Sequence, residues 1–289
     1  MNRLDKKLEF LLKLGSLDRR YIFLAIGIAV LVPLLKPVGL PIEPTPTTKA
    51  VYDAIDQLPP KSKILLSIEF GPSTKPELYP MAAALLRHFF RNDYLVYITC
   101  LWPDGEFMAL EVLEEIAINE FNKTYGEDFV FLGFRPGNEA VVKGMVSNIR
   151  YMYTVDYKNT LIDNIPMMED IRNLSDFSFL MSLSAGYPGS TEWLQYGSDP
   201  TGVPMSTGTT SIQVNELIPY VNSGQLKGII AGMPGAAEYE KLIGTKGMGF
   251  SGMDAQSIAH VVIVLFIILG NITFFIERKK KNKKGVYNA

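Results

Sequence analysis

Six short apolar runs punctuate the middle of this chain, and each is closed by a turn and followed by a helical stretch. They are "KILLSIEF" (63–70), "YLVYITCLW" (94–102), "FVFLGF" (129–134), "FSFLMSLSA" (177–185), "GVPMST" (202–207) and "LKGIIAG" (226–232). Runs of this length, bounded by turn residues and alternating with helices, read as the strands of βα units. Their apolar residues are continuous rather than alternating, as strands covered on both faces require. The pattern predicts a mostly parallel sheet of about six strands with helices on both faces. Right-handed crossovers bring every strand-to-helix turn to one edge, at the carboxyl ends of the strands.

The turns have a common chemistry. Pro-Gly closes three runs, in "FRPGNEAV" (134–141), "YPGSTEW" (187–193) and "MPGAAEY" (233–239). Proline and glycine turn the chain sharply, and Asn138, Ser190 or Thr191 is placed to cap the helix that follows. A further helix is expected over 47–58 before the first strand, and 152–176 is the longest excursion. The plan resembles Rossmann-like or flavodoxin-like folds, and no named family's motifs carry across.

Apolar stretches flank this core. Residues 21–35, "YIFLAIGIAVLVPLL", and 258–276, "IAHVVIVLFIILGNITFFI", contain no charge. A bilayer core of about 30 Å takes roughly 20 helical residues. The sequence therefore predicts two transmembrane helices, at 21–42 (with Lys36 snorkelling) and 258–276. Residues 1–36 carry a net charge of +4 and 277–289 a net +5; of the chain's 28 basic and 30 acidic residues, 15 and 26 remain for 37–276, a net −11. By the positive-inside rule both termini belong to the cytoplasm and the main domain to the outer face of the cell membrane.

The segments follow from these breaks. Residues 1–20 form an amphipathic N-terminal segment, with Leu4, Leu8, Leu11 and Leu12 on one helical face. A proline-rich stalk and lead-in helix occupies 43–62, the α/β domain 63–243, a Gly-rich linker 244–257 (loose unless Met248, Phe250 and Met253 dock), and a basic tail 277–289. His260 and Asn271, about three turns apart on the second span, share a face suited to helix–helix contact.

Ligands of open α/β sheets gather at the carboxyl edge. The polar side chains expected there are Ser73 and Thr74 after the first strand, Trp102 after the second, and Arg135 and Asn138 after the third. Ser190 and Thr191 follow the fourth strand. The run "STGTTS" supplies Ser206, Thr207, Thr209, Thr210 and Ser211 to a helix start, where backbone amides favour a small anion. Arg135 suits a carboxylate or phosphate and Trp102 a stacked ring.

Other chemistries are poorly served. The chain lacks a Walker loop, a G-x-G-x-x-G and a G-x-S-x-G elbow, and its two histidines are His88 and His260. One cysteine, Cys100, permits no internal disulfide. Glu69, Asp104 and Glu139 are the carboxylates nearest the edge, on separate loops. No catalytic set, metal or cofactor is expected, and the acidic domain disfavours nucleic acid. The leading expectation is an interaction subunit of a membrane complex, with the lipid bilayer and either itself or another membrane protein as partners. The second is a tethered receptor for a small anionic or polar ligand. An extracytoplasmic hydrolase or transferase ranks third.

Overall fold

The structure, a computed structural model, describes residues 18–283. The amphipathic segment expected at 4–14 and the tail beyond 283 lie outside the described residues. The chain divides into two compact units, residues 41–250 and the described parts of 1–40 and 251–289.

In the larger unit helix α2 (Pro46–Asp56) leads into β1 (Lys63–Glu69). Then follow α3 (Lys75–Arg91), β2 (Leu95–Cys100), α4 (Pro103–Val112), β3 (Phe129–Phe134), α5 (Glu139–Ser147), α6 (Ile149–Met152) and β4 (Phe179–Ser184). The chain continues through α7 (Ser190–Trp193), β5 (Met205–Thr209), α8 (Val214–Asn222), β6 (Leu226–Ala231) and α9 (Gly232–Leu242). The six strands are all parallel, in the order β3-β2-β1-β4-β5-β6. Chain direction across the sheet therefore reverses between β1 and β4. At that seam Ser67 is in register with Ser182 and Glu69 with Ser184.

Alternate side chains feed two cores. Ile64, Leu66 and Ile68 of β1 join residues of α2, α3, α4 and α9, whereas Leu65 joins residues of α5, α7 and α8. This explains the unbroken apolar strands, since neither sheet face meets water. The extended reading of 202–207 as a strand followed by a Ser/Thr loop needs correction. Strand β5 itself contains Ser206, Thr207 and Thr209, all buried, so "STGTTS" is mostly strand rather than an anion-binding helix start. β-Branched threonines suit a pleated strand. Gly208 keeps the strand close to its neighbours, because a Cβ there would lie 2.5 Å from Leu183 Cδ2 and 2.8 Å from Met81 Sδ.

The smaller unit holds α1 (Arg19–Leu35) and α10 (Met248–Lys283), the latter beginning in the larger one. Among the described residues one helix, Met248–Lys279, is long and apolar enough to cross a membrane. The expectation of two spans is corrected accordingly. Helix α1 has 17 residues, about 25 Å at 1.5 Å per residue, short of a bilayer core. It stops at Leu35 because Pro37 excludes helical backbone at Lys36, which is extended. Within this unit Asp254, fully buried, accepts from Gly39 N at 2.7 Å and Leu40 N at 3.0 Å, fixing the chain after α1 against α10.

Candidate functional site

The carboxyl edge is laced together by side chains that reach from one loop to another. Trp102, after β2, donates from Nε1 to Pro188 O at 2.9 Å, and its ring lies where a Cβ on Gly186 would meet it at 3.3 Å. It therefore roofs the seam between β1 and β4, where an open sheet would offer a crevice. Tyr187 Oη donates to Glu139 at 2.6 Å, and Glu77 accepts from Ser211 N and Oγ, both at 3.0 Å. Lys75 reaches Glu111 at 2.5 Å. Gly189 permits the turn after β4, because a Cβ would sit 1.8 Å from Ser184 Oγ and 2.3 Å from Gly186 O.

Beneath this roof is Glu69, the last residue of β1 and 0% exposed. Its carboxylate accepts from Ser67 Oγ, from Trp193 Nε1 at 3.1 Å and from Ser182 Oγ at 3.4 Å. Ser182 in turn meets Ser190 Oγ at 3.2 Å, and Ser190 meets Thr207 Oγ1 at 2.5 Å. Nearby, Thr99 and Tyr153 share a buried hydrogen bond of 2.5 Å. Burial pushes the Glu69 carboxyl up to about 8, against the opposing pull of its hydrogen-bond donors.

That shift predicts a pH dependence. A carboxyl whose pKa is higher folded than unfolded gives its full stabilisation below the unfolded value, and loses it as pH rises through the folded one. Unfolding free energy should therefore fall between pH 5 and 8, by up to about 1.4 kcal/mol per unit. Glu69→Gln should flatten that slope. Denaturant titrations at several pH values check this, and an equal slope in both proteins would refute the assignment.

An open cleft lies beside the seam, between the loops after β4 and β5, with an empty volume of about 490 Å³, solvent included. Its walls include Tyr187, Ser190, Thr191, Glu192, Thr209 and Gln213. Glu192 also accepts from Gly189 N at 2.7 Å, so this glutamate, rather than Ser190 or Thr191, caps α7. Helix α7 then widens into a π turn, Leu194–Ser198.

The residues singled out from sequence fall in several places. Ser190, Thr191 and Thr209 share the cleft, and Trp102 stands at the neighbouring seam. Ser73, exposed, and Thr74, which donates to Gly71 O at 3.4 Å, shape the turn after β1. Arg135 and Asn138 are exposed beyond β3 and do not line the cleft; Asn138 makes no side-chain cap, having a φ of 51°. Ser206 is buried and its Oγ has no partner among the described residues, Thr207 is buried on β5 beside β4, and Thr210 and Ser211 follow β5. Glu69, Asp104 and Glu139 do not converge; among the described residues no group of three or more His, Cys, Asp or Glu is placed to hold a metal. His260 and Asn271 are exposed on α10.

Sequence reasoning overlooked Trp193, Ser182, Glu192 and Gln213. The available signal was Glu69 itself, a carboxylate set between Ile68 and Phe70 inside an apolar run. The fold is that of an α/β protein with a parallel sheet, and among the described residues one apolar helix is of membrane-spanning length. Compared with protein-family models, curated proteins and solved structures, the chain matches none.

Proposed function

We propose that this is a membrane-anchored, Rossmann-like protein whose α/β domain serves as an interaction subunit of a membrane complex. The observation that carries the reading is the laced carboxyl edge. Its seam is filled by the protein's own Trp102, while apolar side chains around it turn outward: Phe107 on α4 is 69% exposed, and Tyr187 and Ile212 on the loops after β4 and β5 are 62% and 87% exposed. Aromatic and aliphatic side chains on otherwise polar loops are the groups that anchor protein contacts. Helix α10 anchors the domain, and α1, whose large apolar residues are exposed, contributes more lipid-seeking surface. The basic residues after the span favour a cytoplasmic tail and an outward-facing domain at the cell membrane. His260 and Asn271 offer polar contacts to a neighbouring helix in the bilayer.

Native mass spectrometry of the full-length protein, extracted in mild detergent, should give a defined multimer or a stoichiometric complex. Tyr187→Ser with Ile212→Ser should lower the assembled fraction at least tenfold, with the fold intact by circular dichroism. A monomer in both proteins would refute the reading.

The cleft favours a second reading, a receptor for a small polar ligand. Glu192 and Glu216 line it and no Lys or Arg does, which weighs against the anionic class of ligand.

A further inference from the structure

Glu69 is sealed from bulk water, yet a line of hydroxyls leads away from it. Its carboxyl meets Ser182 Oγ, Ser182 meets Ser190 Oγ at 3.2 Å, and Ser190 forms part of the cleft wall. The elements holding the carboxyl differ in firmness. β1 and β4 are central strands of the sheet. Trp193, by contrast, ends α7, a helix of four residues that widens at once into a π turn, a form frequent at functional sites, and no neighbouring strand pairs with it.

We infer that Glu69 is a proton-operated latch: its carboxyl exchanges a proton with water in the cleft through Ser182 and Ser190, and its ionisation loosens α7. The step is a simple transfer. The carboxyl O–H bond breaks, each serine hydroxyl passes on one proton as it receives another, and a cleft water takes the last.

The physical drive is the cost of a buried charge with no cation against it among the described residues. The groups facing Glu69 are Ser67 on its own strand, Ser182 on β4, Trp193 on α7 and the Leu101 backbone N–H beyond β2. Titratable neighbours are Cys100 and Tyr153, both pushed upward by burial and further by Glu69, so both stay neutral while it titrates. The fixed charges that reach this cluster, Glu106 at Cys100 and Arg135 at Tyr153, act on those neighbours. Once ionised, the carboxylate draws water inward, and α7 is the wall least able to resist. Because Ser190, Thr191 and Glu192 move with α7, the cleft changes shape with pH.

Trp193 reports on the latch directly, since the chain has two tryptophans and Trp102 can be replaced. In full-length Trp102→Phe protein in detergent, Trp193 emission should show one transition between pH 7 and 9. Glu69→Gln in that background should abolish it. Ser190→Ala should keep the amplitude and slow relaxation after a pH jump at least tenfold. A transition that survives Glu69→Gln, or emission flat from pH 6 to 10 in the parent, overturns the latch; unchanged relaxation in Ser190→Ala overturns the hydroxyl path. Should Trp102→Phe fail to fold, the difference between wild type and Glu69→Gln gives the same test, because Trp102 is common to both.

Discussion

Trp193→Ala should destabilise the α/β domain by about 3–5 kcal/mol, the range for removing a large aromatic from a core. The side chain is 1% exposed, packed among residues of the second core, and it donates to the carboxyl of Glu69. Alanine would leave both a void and a buried carboxyl short of one donor. Trp193→Phe separates these effects. It keeps most of the volume and loses the donor, so about 1–2 kcal/mol is expected from it. Domains are commonly stable by about 5–15 kcal/mol, so the alanine variant stands near the limit of folding. Urea unfolding of the full-length protein in detergent reads both. Equal losses in the two variants would mean that packing by the indole contributes little, contrary to its burial.

The sheet was legible because the physics behind it is local. An unbroken apolar run such as 129–134 has few alternatives to a strand covered on both faces, and Arg135-Pro136-Gly137 marks its end without help from other segments. The carboxyl edge follows from handedness alone. What stayed hidden depends on residues distant in sequence. Trp102 reaches across to Pro188, and Glu69 is answered by Trp193, more than a hundred residues away. The error at "STGTTS" has the same origin. Its hydroxyls resemble a helix cap, but pairing with β4 and β6 draws Thr207 and Thr209 into the sheet, where Thr207 Oγ1 donates to Ser182 O and Thr209 Oγ1 to Ser184 O. The short first helix has a local cause: Pro37 ends it, and hydropathy averages do not register backbone constraint.

The Gly-rich segment 244–257, expected to be loose unless Met248, Phe250 and Met253 dock, has Phe250 buried and is held at 247–250 by one carboxylate. Helix begins at Met248, and Glu240, 1% exposed on α9, accepts from Gly247 N at 3.0 Å, Gly249 N at 2.9 Å and Phe250 N at 2.9 Å. The glycines serve close approach rather than freedom: a Cβ on Gly249 would lie 2.8 Å from Ala237 N, and one on Gly247 2.4 Å from a Glu240 oxygen. A carboxylate at a helix start satisfies amides that have no acceptor within the helix. Burial raises the Glu240 pKa although the three amides pull it down, so its ionised form is costly here. Glu240→Ala removes the carboxylate acceptor of all three amides, and those of Gly249 and Phe250 are on buried residues. It should cost about 3–5 kcal/mol at 1–3 kcal/mol for each buried group, allowing for partial access of water. Glu240→Gln retains a carbonyl acceptor without the buried charge and should cost about 1–2 kcal/mol. Hydrogen exchange checks the mechanism as well as the size. Protection of the amides of residues 247–250 should fall at least a hundredfold in the alanine variant, while β1 and β4 change only as far as global stability does. If those amides stay protected, something other than Glu240 holds the start of α10. A comparable loss across the whole sheet would instead show that this turn is part of the domain's cooperative core.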